Sequence, residues 1–160
     1  MTVLSETLSP YSLIEEGTAF KRNNWIIPEF IFDFTSTLIR KTDELAAETK
    51  DILEKIKSFT RLHENWDGYG AAPPSKVAAQ NAYRFVKQLA KLQVPVFFTA
   101  PGPDGEILVE LQDGDKSVEV TFEPDGSASY AQFLGTDCVS EDAFNDQAID
   151  KLAQWIQNQE

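Results

Sequence analysis

A chain of 160 residues, 42% hydrophobic, is long enough to bury one good core and too short for two ordinary domains. One cysteine, Cys138, excludes an internal disulfide and favours a reducing compartment. The net charge of -12 is uneven: residues 1–95 hold 12 acidic and 12 basic residues, whereas residues 96–160 hold 14 acidic residues against Lys116 and Lys151 alone, which argues against nucleic acid as a partner.

Residues 1–42 read as an N-terminal arm or helix and residues 43–160 as a single α+β domain. The start of the arm has neither the basic nor the continuous apolar region of a secretory signal. The most apolar window, Trp25 to Phe34, is broken by Pro28, Glu29 and Asp33 and is too short to cross a bilayer. A cytoplasmic protein without a membrane partner is therefore expected. With Pro28 in a first helical turn, Phe30, Ile31, Phe34 and Leu38 share one face. That face is core, or else Trp25, Phe30 and Phe34 anchor a partner or a second copy through residues 25–39.

Leu45, Ile52, Ile56 and Phe59 recur at helical spacing, predicting a helix over about 43–62 capped by Thr42 or Asp43. Next comes Asn65-Trp66-Asp67-Gly68-Tyr69-Gly70, with two glycines and two large aromatics. The glycines permit positive φ, and Asn65 or Asp67 can accept local backbone N–H bonds. Trp66 then buries a ring between helices and sheet, so that Trp66→Ala would cost about 3–5 kcal/mol; in the competing reading Trp66 and Tyr69 are exposed recognition anchors. A helix over about 75–92 starts at Ser75, buries Ala78, Ala82, Phe85, Leu89 and Leu92, and leaves Arg84, Lys87 and Lys91 as a solvated basic stripe.

Beyond Val94 the period becomes two. Pro103-Asp104-Gly105, Asp113-Gly114 and Pro124-Asp125-Gly126 punctuate a four-stranded antiparallel meander over about 95–134, covered on one face by helices. A two-residue Asp113-Gly114 turn would pair Gln112 with Asp115, Val109 with Val118 and Glu110 with Ser117; this register avoids setting Glu110 opposite Glu119. The outer face carries Glu106, Glu110, Glu119 and Glu123. A last helix over about 141–157 is expected behind Ser140, with Phe144, Ala148, Leu152 and Trp155 inward.

The run Glu64-Asn65-Trp66-Asp67-Gly68-Tyr69-Gly70-Ala71, a proline-containing link to a helix and a Pro-Asp-Gly hairpin into Glu106-Ile107-Leu108-Val109-Glu110 resembles a family of small bacterial proteins. The resemblance covers about residues 60–130 and brings no established activity. Some members look like products of small paired genes of the toxin and antitoxin or immunity type.

No catalytic constellation stands out. His63 with Asp67 or Glu64 can be drawn as an acid/base pair, the paired carboxylates of the sheet lie on an exposed face that is a poor place to raise a pKa, zinc-type ligand spacing is lacking, and neither a metal nor another cofactor is expected. The sequence therefore points to a non-catalytic interaction module, antitoxin-like or immunity-like, that binds a basic protein partner. Its candidate contacts are Glu106, Glu110, Glu119, Glu123, Trp66, Tyr69, Trp25, Phe30 and Phe34. The alternatives are a self-associating adaptor and, last, an enzyme using His63 and Asp67.

Overall fold

The computed structural model describes residues 29–158, with side chains from Arg40 onward. Trp25 lies outside the described residues, as do the side chains of Phe30 and Phe34. The first helix, α1 (Glu29–Phe59), runs without a break through Thr42 and Asp43, so the expected start there is not a helix end. Its sequence from Arg40 onward is rich in Ala, Leu, Glu and Lys, which lose little on entering a helix. Arg40 to Glu44 are exposed, and burial deepens from Leu45 to Ile56 and Phe59, where α1 meets α2 (Lys76–Lys91) and the first strand.

Ser75 caps α2 as expected, its Oγ accepting from Val77 N–H at 3.1 Å. The same hydroxyl donates to Pro124 O at 3.2 Å, and Ser75 N–H donates to Gly105 O at 2.8 Å. Asn81 Nδ2 adds a bond to Gly126 O at 3.4 Å. Both Pro-Asp-Gly turns are therefore docking points for the start of α2 as well as hairpin punctuation. Gly105, at φ +90°, would bring a Cβ to 3.1 Å from Pro73 O, so this close approach favours glycine twice over.

The sheet is a five-stranded antiparallel meander: β1 (Phe98–Pro101), β2 (Ile107–Asp113), β3 (Lys116–Phe122), β4 (Ala128–Leu134) and β5 (Asp137–Ala143). β5 replaces the first turn of the expected last helix. Gly135, at φ +60°, opens a two-residue turn that sets Leu134 opposite Asp137, and the chain returns along β4. Ser140 is consequently a strand residue, and α3 begins later (Ala148–Gln157). Asn145 Oδ1 accepts from Gln147 and Ala148 N–H at 3.0 and 3.2 Å and does the capping. The later start shifts the inward stripe to Ala148, Ile149, Leu152, Ala153 and Ile156. Phe144 instead joins Phe85 and Phe122 in an aromatic cluster with ring centroids 5.1–5.7 Å apart.

Ile107, Val109 and Leu111 with Val118, Val120 and Phe122 form the buried face of the sheet, covered by Ile56, Phe85, Leu89 and Leu152 of the helices. Thr99 is the buried polar side chain on that face, and its hydroxyl donates to Leu108 O at 2.8 Å. No described helix is long and apolar enough to cross a membrane.

Candidate protein-binding face

Alternation along each strand leaves a second sheet face on which no residue of the five strands is fully buried. Its central cross-strand row is Phe98, Glu110, Glu119, Ala131 and Glu141. Rows on either side contribute Leu108 with Thr121 and Ser117 with Phe133. The face is therefore acidic at its centre with apolar side chains interleaved, rather than uniformly charged.

The expected register is overturned. Glu110 lies directly opposite Glu119, Gln112 opposite Ser117 and Asp113 opposite Lys116, so the two turn residues are Gly114 and Asp115. Gly114 takes φ +58° and Asp115 does not have positive φ, the pattern of a type II′ turn, in which glycine belongs at the first central position. Asp113 and Lys116 then close the last rung, and Asp115 O is held by Gly135 N–H at 2.7 Å. The glycine-first turn outweighs the like-charge pair at Glu110 and Glu119. Partial burial, followed by the nearby Glu119 charge, raises the Glu110 pKa above its ordinary value of 4.5.

The four predicted glutamates do not all serve this face alike. Glu106 turns back over the β1–β2 hairpin, its Oε2 accepting from Asp104 N–H at 2.9 Å, and it covers the space above Gly102. Glu123 stands at the base of the β3–β4 turn, where its backbone N–H donates to Ser127 O at 2.9 Å. Glu110 and Glu119 are brought together, and Glu141 joins their row from β5. Glu141 was missed because the segment reads as the acidic start of a helix. The signal that finds it is Gly135-Thr136, a Gly-X hairpin turn.

Neither base of the back half reaches this face. Lys116 Nζ donates to Asn158 O at 2.6 Å and lies 5.4 Å from the Trp155 ring centroid, capping the carbonyl end of α3, while Lys151 is on α3 itself. Lys55 of α1 sits at the margin, 4.7 Å from the Phe98 ring centroid. The ion pairs among the described residues, Arg40–Glu44 and Lys57–Glu54, both belong to α1, so the sheet glutamates have no ion-pair partner among them.

The Asn65–Gly70 loop lies beside the β1–β2 turn, to which Ala72 N–H donates at Pro103 O, 2.8 Å away. Its shape comes from within. Asn65 takes φ 61°, and its Oδ1 accepts from Gly70 N–H at 2.7 Å. Asp67 Oδ1 accepts from Tyr69 and Ala71 N–H at 2.8 and 3.1 Å, bonds that hold its carboxyl pKa below the ordinary 3.8. Trp66 is partly buried and donates from Nε1 to Ala72 O at 3.0 Å, but it stands outside the continuous core, which corrects its expected place between helices and sheet. Tyr69 is 94% exposed. The geometry thus separates the two aromatics into a loop anchor and a free tip. His63 is exposed, and among the described residues no group of three or more His, Cys, Asp or Glu side chains is arranged to hold a metal ion.

No family model, curated protein or solved structure matches the chain, so what its surfaces do must be inferred from their own chemistry.

Proposed function

We propose that this protein is a non-catalytic interaction module whose open sheet face binds a basic segment of a partner protein, with inhibition of that partner, in the manner of an antitoxin or immunity protein, as the biological outcome. The observation that carries the reading is the Glu110–Glu119 pair. Two carboxylates face each other across adjacent strands, partly desolvated, with Glu141 in the same row and no described ion-pair partner. A cation from a partner would relieve that repulsion, which gives the free face a reason to bind. Leu108, Ala131 and Phe133 supply the apolar contact that charge alone does not.

Capture from the source cell at low salt, using wild type and a Glu110→Gln, Glu119→Gln, Glu141→Gln variant, tests the reading. Wild type should retain a basic protein that salt releases, and the triple variant should lose it. An identical bound set for the two chains would contradict it.

A further inference from the structure

A second surface differs from the acidic face in both shape and sign. Helix α2 carries Lys76, Arg84, Lys87 and Lys91 and no acidic residue. Where it runs beside the end of α1 the two helices leave a groove of about 480 Å³, mostly apolar, with Ile56, Ala79 and Tyr83 in its floor and Lys57, Lys76 and Arg84 at its rim. Lys57 is already engaged, paired with Glu54 Oε1 at 2.7 Å and lying 5.5 Å from the Tyr83 ring centroid. Neither Lys76 nor Arg84 takes part in an ion pair among the described residues, and both are exposed.

We propose that this groove is a docking site for an acidic amphipathic helix of a partner protein. Residues Lys76, Ala79, Gln80 and Tyr83 line one wall at spacings of three and four, so they form a ridge that a third helix can pack against. The floor takes the apolar stripe of the incoming helix, while Lys76 and Arg84 meet acidic residues flanking that stripe. Ser75 caps α2 one residue before Lys76, so the positive end of the α2 dipole adds to the same attraction. The site is independent of the acidic sheet face: the helices cover the buried side of the sheet, and the Glu110–Glu119 row lies on the other side. An acidic segment and a basic segment can therefore be held at once on opposite sides.

Amide spectra of the isotopically labelled full chain test this directly. The probes are a synthetic helical peptide with leucines along one stripe and glutamates flanking it, its lysine-for-glutamate counterpart, and decanoate below its micelle concentration. The glutamate peptide should shift the signals of Ile56–Thr60 and Lys76–Arg84, and the lysine peptide should leave them in place. Lys76→Glu with Arg84→Glu, both at exposed positions, should weaken the glutamate peptide about tenfold or more while preserving the dispersed spectrum of the folded chain. Four results would overturn the proposal: no groove shift with the glutamate peptide, undiminished binding by the reversed-charge variant, groove shifts with decanoate but neither peptide, or groove shifts that track protein concentration without any peptide. The last would put a second copy in the groove. Glu110, Glu119 and Glu141 are unchanged throughout, so failure here leaves the sheet-face reading standing, and the converse also holds.

Discussion

Gln93 closes α2 with a backbone φ of 57°, a left-handed conformation that glycine enters without steric cost. Its N–H donates to Ala90 O and the next, Val94 N–H, to Leu89 O, while Leu89 and Val94 are buried together, the bonding of a Schellman motif. Gln93→Gly should raise unfolding stability by about 0.5–1 kcal/mol, the relief of left-handed strain less the added freedom of the unfolded chain; a denaturant midpoint at or below wild type would refute this. In the Asn65–Gly70 loop the side-chain acceptors Asn65 and Asp67 and the positive φ of Gly68 and Gly70 were legible in the sequence, because they are local bonds between near neighbours. The depth of Trp66 was not legible, because it depends on what folds over the ring. Partly buried and donating one hydrogen bond, Trp66→Ala should cost about 2 kcal/mol and still fold, whereas Tyr69→Ala should stay within about 0.5 kcal/mol of wild type. Thermal melts of the two variants check both. Since Asp67 has a lowered pKa in the folded state, its contribution is present above 3.8 and is lost as pH falls through the lower folded value. Asp67→Asn should accordingly speed amide exchange at Tyr69 and Ala71 at neutral pH, and unchanged exchange would show that the carboxylate does not hold the loop.

At the level of elements, α2 and strands β2 and β3 were readable because their apolar residues recur at 3.6 or at 2 and face a core, and β4 because the Pro124-Asp125-Gly126 turn announces a returning strand. β5 was not, because an exposed edge strand buries nothing on either side and shows no period: Asp137, Cys138, Val139, Glu141, Asp142 and Ala143 are all exposed. Its edge is blunted in the ways that discourage further strand pairing, by acidic side chains, by a register irregularity at Gln132/Phe133, and by Asp142 Oδ1 accepting from Ala143 N–H at 2.7 Å. The β2–β3 register turned on the placement of Gly114. A rule that forbids facing like charges is weaker than a turn that needs glycine first. The cost of that outcome is measurable. A carboxyl whose folded pKa is raised favours folding in its protonated form, below the unfolded value near 4.5, and that contribution is lost as pH rises through the folded value. Glu110→Gln removes both the burial penalty and the facing like charge, so it should stabilise the protein at pH 7 by about 0.2–1 kcal/mol and flatten stability against pH above 4.5. A Glu110→Gln curve parallel to wild type through that window would show that neither burial nor the facing Glu119 penalises the Glu110 carboxylate.

For the molecule as a whole, the sequence showed that charge was segregated along the chain, and folding converts this into opposite sides of one body: basic on α2, acidic on the outer sheet. What the sequence could not show is that only part of the acidic set converges. Glu106 is spent on its own hairpin and Glu141 arrives from a strand hidden in a helix-like stretch. A basic partner drawn in by Glu110, Glu119 and Glu141, as proposed, would carry the signature of charge steering in its rate of association. The most direct measurement is the association rate of the captured partner with wild type and with the Glu110→Gln, Glu119→Gln, Glu141→Gln variant, each followed from low to high salt. The wild-type rate should fall steeply as salt rises, and the variant should start slower and stay nearly flat, because exposed charges are screened beyond about 10 Å at 0.1 M salt. Equal rates with equal salt slopes for the two proteins would contradict the proposal.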